Sequence, residues 1–247
     1  MTDIVARIRQ AAHNSPAAAI NWPQRGKAPI GYVEGMAVAF GRVCCKLASG
    51  DPAVVAMAVA DTGNAQKDAL THYGQQFSQL GMSNAAAGVV TLRHLFVLMM
   101  GLGMRESSGQ HCEGRDMSAP NTTADTAEAG LFQTSFNART AHALLVPMFD
   151  SYKANPSGFV DIFKQGVHCS AASWKNWGTG AGKDFQQLSK ECPAFAVEFT
   201  ALALRNIRTH WGPLSNHAAG LRSECDDLFL EVQRLIDATP GGCTDLL

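Results

Sequence analysis

Ten consecutive residues, Leu95 to Met104, carry no charged or polar side chain. This run constrains the fold more than any other stretch. No breaker other than glycine interrupts Gly88 to Glu106, so the segment reads as one helix of roughly 28 Å at about 1.5 Å per residue. A helix apolar on every side is buried on every side. Ten such residues are too few to span a bilayer, which needs about 20. Gly101 and Gly103 each cost about 1 kcal/mol relative to alanine inside a helix. Their expected return is close approach of another backbone or of a ligand. Ser107-Ser108-Gly109 stops the helix, with Gly109 suited to a left-handed end.

Glu106 therefore stands at the carboxyl end of a buried helix. The negative end of the helix dipole and the low polarity around Leu102 and Met104 both disfavour its ionised form. A carboxyl kept protonated near neutral pH is what a general acid requires. The competing reading is a helix-terminal glutamate paired with Arg105 or Arg115.

Met104-Arg105-Glu106-Ser107-Ser108-Gly109, a polar loop, and then Ala129-Gly130-Leu131-Phe132-Gln133-Thr134-Ser135 together resemble the active-site signature of goose-type lysozymes and bacterial lytic transglycosylases. In that superfamily a Glu-Ser pair ends the central helix and a Gly-Leu-Met-Gln segment follows. Phe132 stands here in place of the methionine, and the spacing is slightly long. The likeness covers about 35 residues. It implies a mainly α, lysozyme-like helical domain, with at most a minimal β segment near residues 130–135. It also implies a catalytic acid at Glu106, with Ser107 and Gln133 at the substrate. A reaction of that family needs no cofactor, and no metal is expected.

The loop from Gln110 to Ala129 is the expected substrate contact, with carboxylates Glu113, Asp116, Asp125 and Glu128. A second carboxylate is needed only where a glycosidase holds a water or forms a covalent intermediate. Asp116 and Asp125 are the candidates, although Asp116 could equally pair with Arg115 and Asp125 could cap a turn. Asn121 is a candidate sugar partner. Trp174 and Trp177, in an irregular stretch over 166–182, are candidate subsite walls, since aromatic rings stack on sugar faces. Trp211, at a late helix end, is a further candidate. Trp22 and Arg25, in a Pro/Gly-rich loop over 15–30, could line the cleft or pack on the surface.

The remaining pattern is helical. Segments are expected over 1–14, 30–47, 53–60 and 65–80, then after a Ser83 cap over the central helix. Others follow an Asn137 cap with a kink at Pro147, and over 159–164, Pro193 to Gly212 and a last helix from Ser223, ending in a frayed tail. The 247 residues, 46% of them hydrophobic, suit a single domain with 1–30 as an N-terminal extension and 83–153 as its centre.

A net charge of -1 gives no reason to expect nucleic acid or an anionic membrane as partner. The expected partner is a polysaccharide: peptidoglycan, cut at its β-1,4 bond by a muramidase or lytic transglycosylase, or chitin or chitosan. A non-catalytic glycan-binding protein of the same fold is the rival. No secretory signal is visible at Met1-Thr2-Asp3, so the expectation is a soluble chain made in the cytoplasm that reaches a cell wall by a non-classical route. Seven cysteines, an odd number, argue against a complete disulfide framework. His111-Cys112 and His168-Cys169 lack recognised zinc spacing. A bridge or close contact between Cys112 and Cys169 is expected instead.

Overall fold

The computed structural model describes residues 4–117 and 123–247. It is mainly helical, with one two-stranded antiparallel sheet among the described residues. In chain order the helices are α1 Ile4–Asn14, α2 Ile30–Ala48, α3 Pro52–Met57, α4 Ala69–His72, α5 Gly74–Gln79, α6 Val89–Ser107, α7 Leu145–Ala154, α8 Val160–Phe163, α9 Ala181–Glu191, α10 Pro193–Leu204, α11 Gly212–Ser215 and α12 Ser223–Asp237. Strands β1 (Asn21–Trp22) and β2 (Gly26–Lys27) pair within the N-terminal loop, Trp22 opposite Gly26. No helix among the described residues is long and apolar enough to cross a membrane.

Helix α6 forms the axis of the molecule. From Leu95 to Met104 every residue is buried, and α2, α10, α11 and α12 pack around it. Both glycines are explained by close approach. A Cβ on Gly101 would strike the Gly220 backbone, with the Gly220 nitrogen at 2.9 Å. One on Gly103 would strike the Tyr32 hydroxyl and lie 3.2 Å from the Phe132 ring. Tyr32, wholly buried, reaches the Met99 and Met100 carbonyls at 3.0 and 3.1 Å.

Helix α10 is also buried along its whole length. Its buried Glu198 meets Lys46 at 2.6 Å and Arg42 at 3.5 Å. Just beyond α10, Arg205 forms a buried pair with Asp68 at 2.9 Å and donates to the carbonyls of Met57, Val59 and Ala60. That network satisfies the unpaired chain after α3, in keeping with the rule that buried charge needs both a counter-ion and hydrogen bonds.

Several sequence expectations are corrected. Ser83 does not cap the central helix; Gly88, at φ +127°, precedes it. The segment 65–80 splits at Tyr73 into α4 and α5. Asn137 lies inside a short 3-10 turn, Phe136–Ala141, rather than at a cap. Pro147 falls in the first turn of α7, where a missing N–H leaves no bond unmade, so it introduces no break in the helix. Helix α10 ends at Leu204 instead of Gly212, and α9 occupies a stretch with no expected element. The C-terminal tail is not frayed: Cys45–Cys243 ties it to α2, and Leu246 is buried. The expectation of at most a minimal β segment near 130–135 holds, since a single bridge joins Ala129 and Thr134 there.

Gly101→Ala should lower unfolding free energy by about 1–3 kcal/mol, the usual cost of overpacking against backbone that cannot yield. Urea unfolding at constant m-value checks this; an unchanged midpoint would contradict the packing described.

Candidate active site

Glu106 is the penultimate residue of α6. The helix stops there because two successive residues turn left-handed, Ser108 at φ +55° and Gly109 at φ +74°. Gly109 has a second reason to be glycine: a Cβ would sit 2.8 Å from the Tyr32 ring. The Gly109 nitrogen donates back to Gly103 O at 3.2 Å, and Ser108 N to Met104 O at 3.1 Å. Ser107 is buried, and its hydroxyl lies 2.8 Å from Leu131 O and 3.1 Å from Gly103 O. It thereby fastens the helix end to the Gly130–Ser135 segment and is turned away from solvent.

That segment is held from every side. Gly130 N donates to Glu113 O at 2.9 Å. Gln133, at φ +45°, directs its amide nitrogen to Gly130 O at 3.2 Å. Thr134 and Thr200 share a hydroxyl bond at 2.9 Å. Trp211, 1% exposed, donates its indole N–H to Phe132 O at 2.8 Å. Trp211 is therefore no subsite wall; it buttresses the loop from within the core. Ser135 N approaches His210 Nε2 at 3.4 Å, and burial pushes the His210 pKa down to about 4, keeping the ring a neutral acceptor. Ser107 and Gln133 likewise spend these groups on backbone carbonyls rather than on an open cleft.

The electrostatics centre on Glu106. Burial, then the negative charge of Glu128, push its pKa up to about 8, while Arg25 pulls the other way. Glu113 is also raised by burial and lowered by Arg25. Glu128 is raised by burial and by Asp116. Arg25, at the β1–β2 turn, reaches this group because its guanidinium donates to the Arg105 carbonyl, while Arg105 returns bonds to Pro23 O and Gln24. The neighbour acting on Glu106 is thus Glu128. Asp125 instead pairs with Arg139 at 3.2 Å on a half-exposed surface. Asp116 is exposed and acts on Glu128. Trp22, beside Arg25 in sequence, is buried and faces the core.

The aromatic wall is split. Trp174 is half-buried with its ring 5.7 Å from His111. Trp177 is 45% exposed, with the Arg115 guanidinium 4.3 Å above its ring. It stands between two cavities. One, of about 450 Å³, is lined by Glu113, Arg115, Met117, Ser173 and Asn176 along with Trp177; the other, of about 680 Å³, by Thr123, Ala124, Asp125 and residues 177–179. Gln186 fixes Trp177 by accepting from its N–H at 2.7 Å and donating to its carbonyl at 3.1 Å. Asn121 lies outside the described residues.

Sequence reasoning named Arg25 only as a possible lining residue and passed over the pins Gln186 and Lys190. Buried Lys190 donates to Ser173 O at 2.9 Å and Lys175 O at 3.1 Å, holding the tryptophan loop. A lysine and a glutamine on the inner face of an amphipathic helix were the available signal. The expected approach of Cys112 and Cys169 is a disulfide, Cα–Cα 5.9 Å, joining the two loops.

No family model, curated protein or solved structure matches this chain.

The raised carboxyl has a stability consequence. Its folded pKa lies above its unfolded one, so ionisation opposes folding, and that cost grows as pH rises from about 4.5 to about 8. Glu106→Gln should therefore melt above wild type at pH 8. The gain is about 2 kcal/mol after allowance for partial exposure, or roughly 4–8 °C. It should vanish toward pH 4.5. Equal melting shifts at both pH values would show that Glu106 is not held neutral.

Proposed function

We propose that the chain cleaves a β-1,4-linked amino-sugar glycan, with peptidoglycan as the first candidate substrate and Glu106 as general acid. The observation that carries this is a carboxyl with pKa about 8 at the terminus of a buried helix, beside a second carboxyl, Glu128. Such a group holds its proton at neutral pH and can deliver it to a glycosidic oxygen as the bond breaks. The resemblance of Glu106-Ser107 and Gly130–Gln133 to the goose-type and transglycosylase signature supports the same reading.

In this mechanism Glu106 protonates the leaving oxygen. In this reading Glu128, whose charge acts on Glu106, orients the incoming nucleophile, a water or the sugar's own hydroxyl. Ser107, Trp211 and Gln133 are positioning residues that hold the loop without touching substrate. Trp177, half-exposed with Arg115 over its ring, contacts one sugar at the rim of the two cavities in this reading. The two disulfides fit a protein that works in an oxidising compartment, as a cell-wall enzyme does.

The test is turbidity loss of purified peptidoglycan, with chitin in parallel, and mass analysis of the products. Glu106→Gln should lose about 10²–10⁴-fold activity, the usual worth of a general acid. Anhydro ends would identify transglycosylation and reducing ends hydrolysis. A wild-type protein inert on both glycans, yet retained by them, would replace the enzyme reading with the glycan-binding one.

Activity needing protonated Glu106 should fall as pH rises through about 8. Arg25→Met removes the charge that lowers this pKa, so the alkaline limb of kcat/KM should move to higher pH. An unmoved limb would show that the titrating group is not Glu106.

A further inference from the structure

The Cys112–Cys169 bridge has a third member. His111 is completely buried, directly beside the two sulfurs. Its Nδ1 lies 2.9 Å from Lys190 O, and its Nε2 lies 3.7 Å from Cys169 Sγ. A carbonyl only accepts, so Nδ1 carries the proton and Nε2 presents its lone pair to the sulfurs. This is how metal-binding histidines are held: one ring nitrogen anchored to a backbone carbonyl, the other aimed at the ion. His111 Nε2 and the sulfurs of Cys112 and Cys169 all lie within 4.8 Å of one another. Zinc bound at about 2.3 Å to sulfur and 2.0 Å to nitrogen spaces tetrahedral ligands roughly 3.5–3.8 Å apart. The nitrogen is already at that distance from Cys169 Sγ and within 4.8 Å of Cys112 Sγ; the sulfurs need only part once their bond is reduced.

We propose that the dithiol form of the chain binds one Zn²⁺ through His111, Cys112 and Cys169, with water in the fourth position. Two thiolates and an imidazole are a set that selects zinc over the hard divalent cations. On binding, two S–H bonds are lost, two Zn–S bonds form and two protons are released. A small-molecule disulfide of the glutathione class reverses this. The Cys112–Cys169 S–S bond forms, the reagent's own S–S bond takes up two electrons and two protons to become two thiols, and Zn²⁺ leaves. The metal thus takes the place of the disulfide wherever thiols are kept reduced. In either state the loop after Glu106 stays tied to the tryptophan loop.

The test uses the full-length protein, reduced anaerobically with a phosphine that does not bind zinc and titrated with Zn²⁺ against a chromophoric chelator. Far-UV circular dichroism is followed in parallel. The reduced wild type should take up one equivalent and release two protons in weak buffer. The oxidised protein should take up none. Cys112→Ser should weaken uptake at least 100-fold and His111→Ala at least 10-fold, while Cys45→Ser, at the other bridge, should leave it unchanged. Co²⁺ in place of Zn²⁺ should give a thiolate-to-cobalt charge-transfer band that Cys112→Ser abolishes. Failure of folded, reduced wild type to bind, equal binding by Cys112→Ser, or a reduced chain that stays unfolded with zinc present would each overturn the proposal.

Discussion

Ending a helix inside a protein is the constraint on which the rest depends. Helix α6 has no solvent face along its apolar run, so its last carbonyls cannot all turn to water. They are met instead by particular donors. Ser108 takes that of Met104, Arg25 that of Arg105 and Gln110 N that of Ser107, while Gly109 and Ser107 share that of Gly103 and Tyr32 adds a second donor to the Met99 and Met100 carbonyls one turn earlier. Each donor brings its own segment with it. Tyr32 brings α2, Arg25 the small β1–β2 hairpin, and Ser107 the Gly130–Ser135 loop through Leu131 O. The elements around Glu106 are therefore assembled by the hydrogen-bonding needs of the helix that carries it.

The same arrangement accounts for the electrostatics. Arg25 acts on Glu106 and Glu113, Glu128 acts on Glu106, and Asp116 acts on Glu128. One guanidinium could hold a single exposed carboxylate ionised with ease. Here it is opposed by burial, which is the largest influence on Glu106, and by the neighbouring Glu128. Burial prevails because desolvation acts on the carboxyl at all times, whereas Arg25 divides its charge between two carboxyls and also donates to a backbone carbonyl.

Much of this was legible in the sequence where the signal was local. The apolar run marked α6 and its burial, Ser107-Ser108-Gly109 marked its end, and burial gave the direction of the Glu106 shift. Pro52 and Pro193 opened α3 and α10 as their ring geometry requires. Illegible features depend on partners distant in the chain. Asp125 looked like a second carboxylate by its separation from Glu106, but Arg139 claims it. Trp211 looked like a cleft residue by analogy of position, but the Phe132 carbonyl captures its N–H in the core. Glu128 was one loop carboxylate among four until folding brought it beside Glu106. The early end of α10 is also tertiary in origin: Arg205, one residue on, is committed to Asp68 and three carbonyls far upstream.

The irregular segments around the site are ordered by side chains that bond to backbone. Gln186 accepts from Trp177 N–H and donates to the carbonyls of Ala124 and Trp177; Lys190 holds those of Ser173 and Lys175; Gln133 folds back on Gly130 O. These bonds are indifferent to which side chains the loops display. A loop fastened by its backbone presents its side chains outward, and here Glu113, Arg115 and Trp177 line one cavity, with the Arg115 guanidinium over the Trp177 ring. Helix α6 holds the Glu106 carboxyl through burial, and the pins from α9 hold the loops through their backbone, so the displayed side chains can vary without disturbing either.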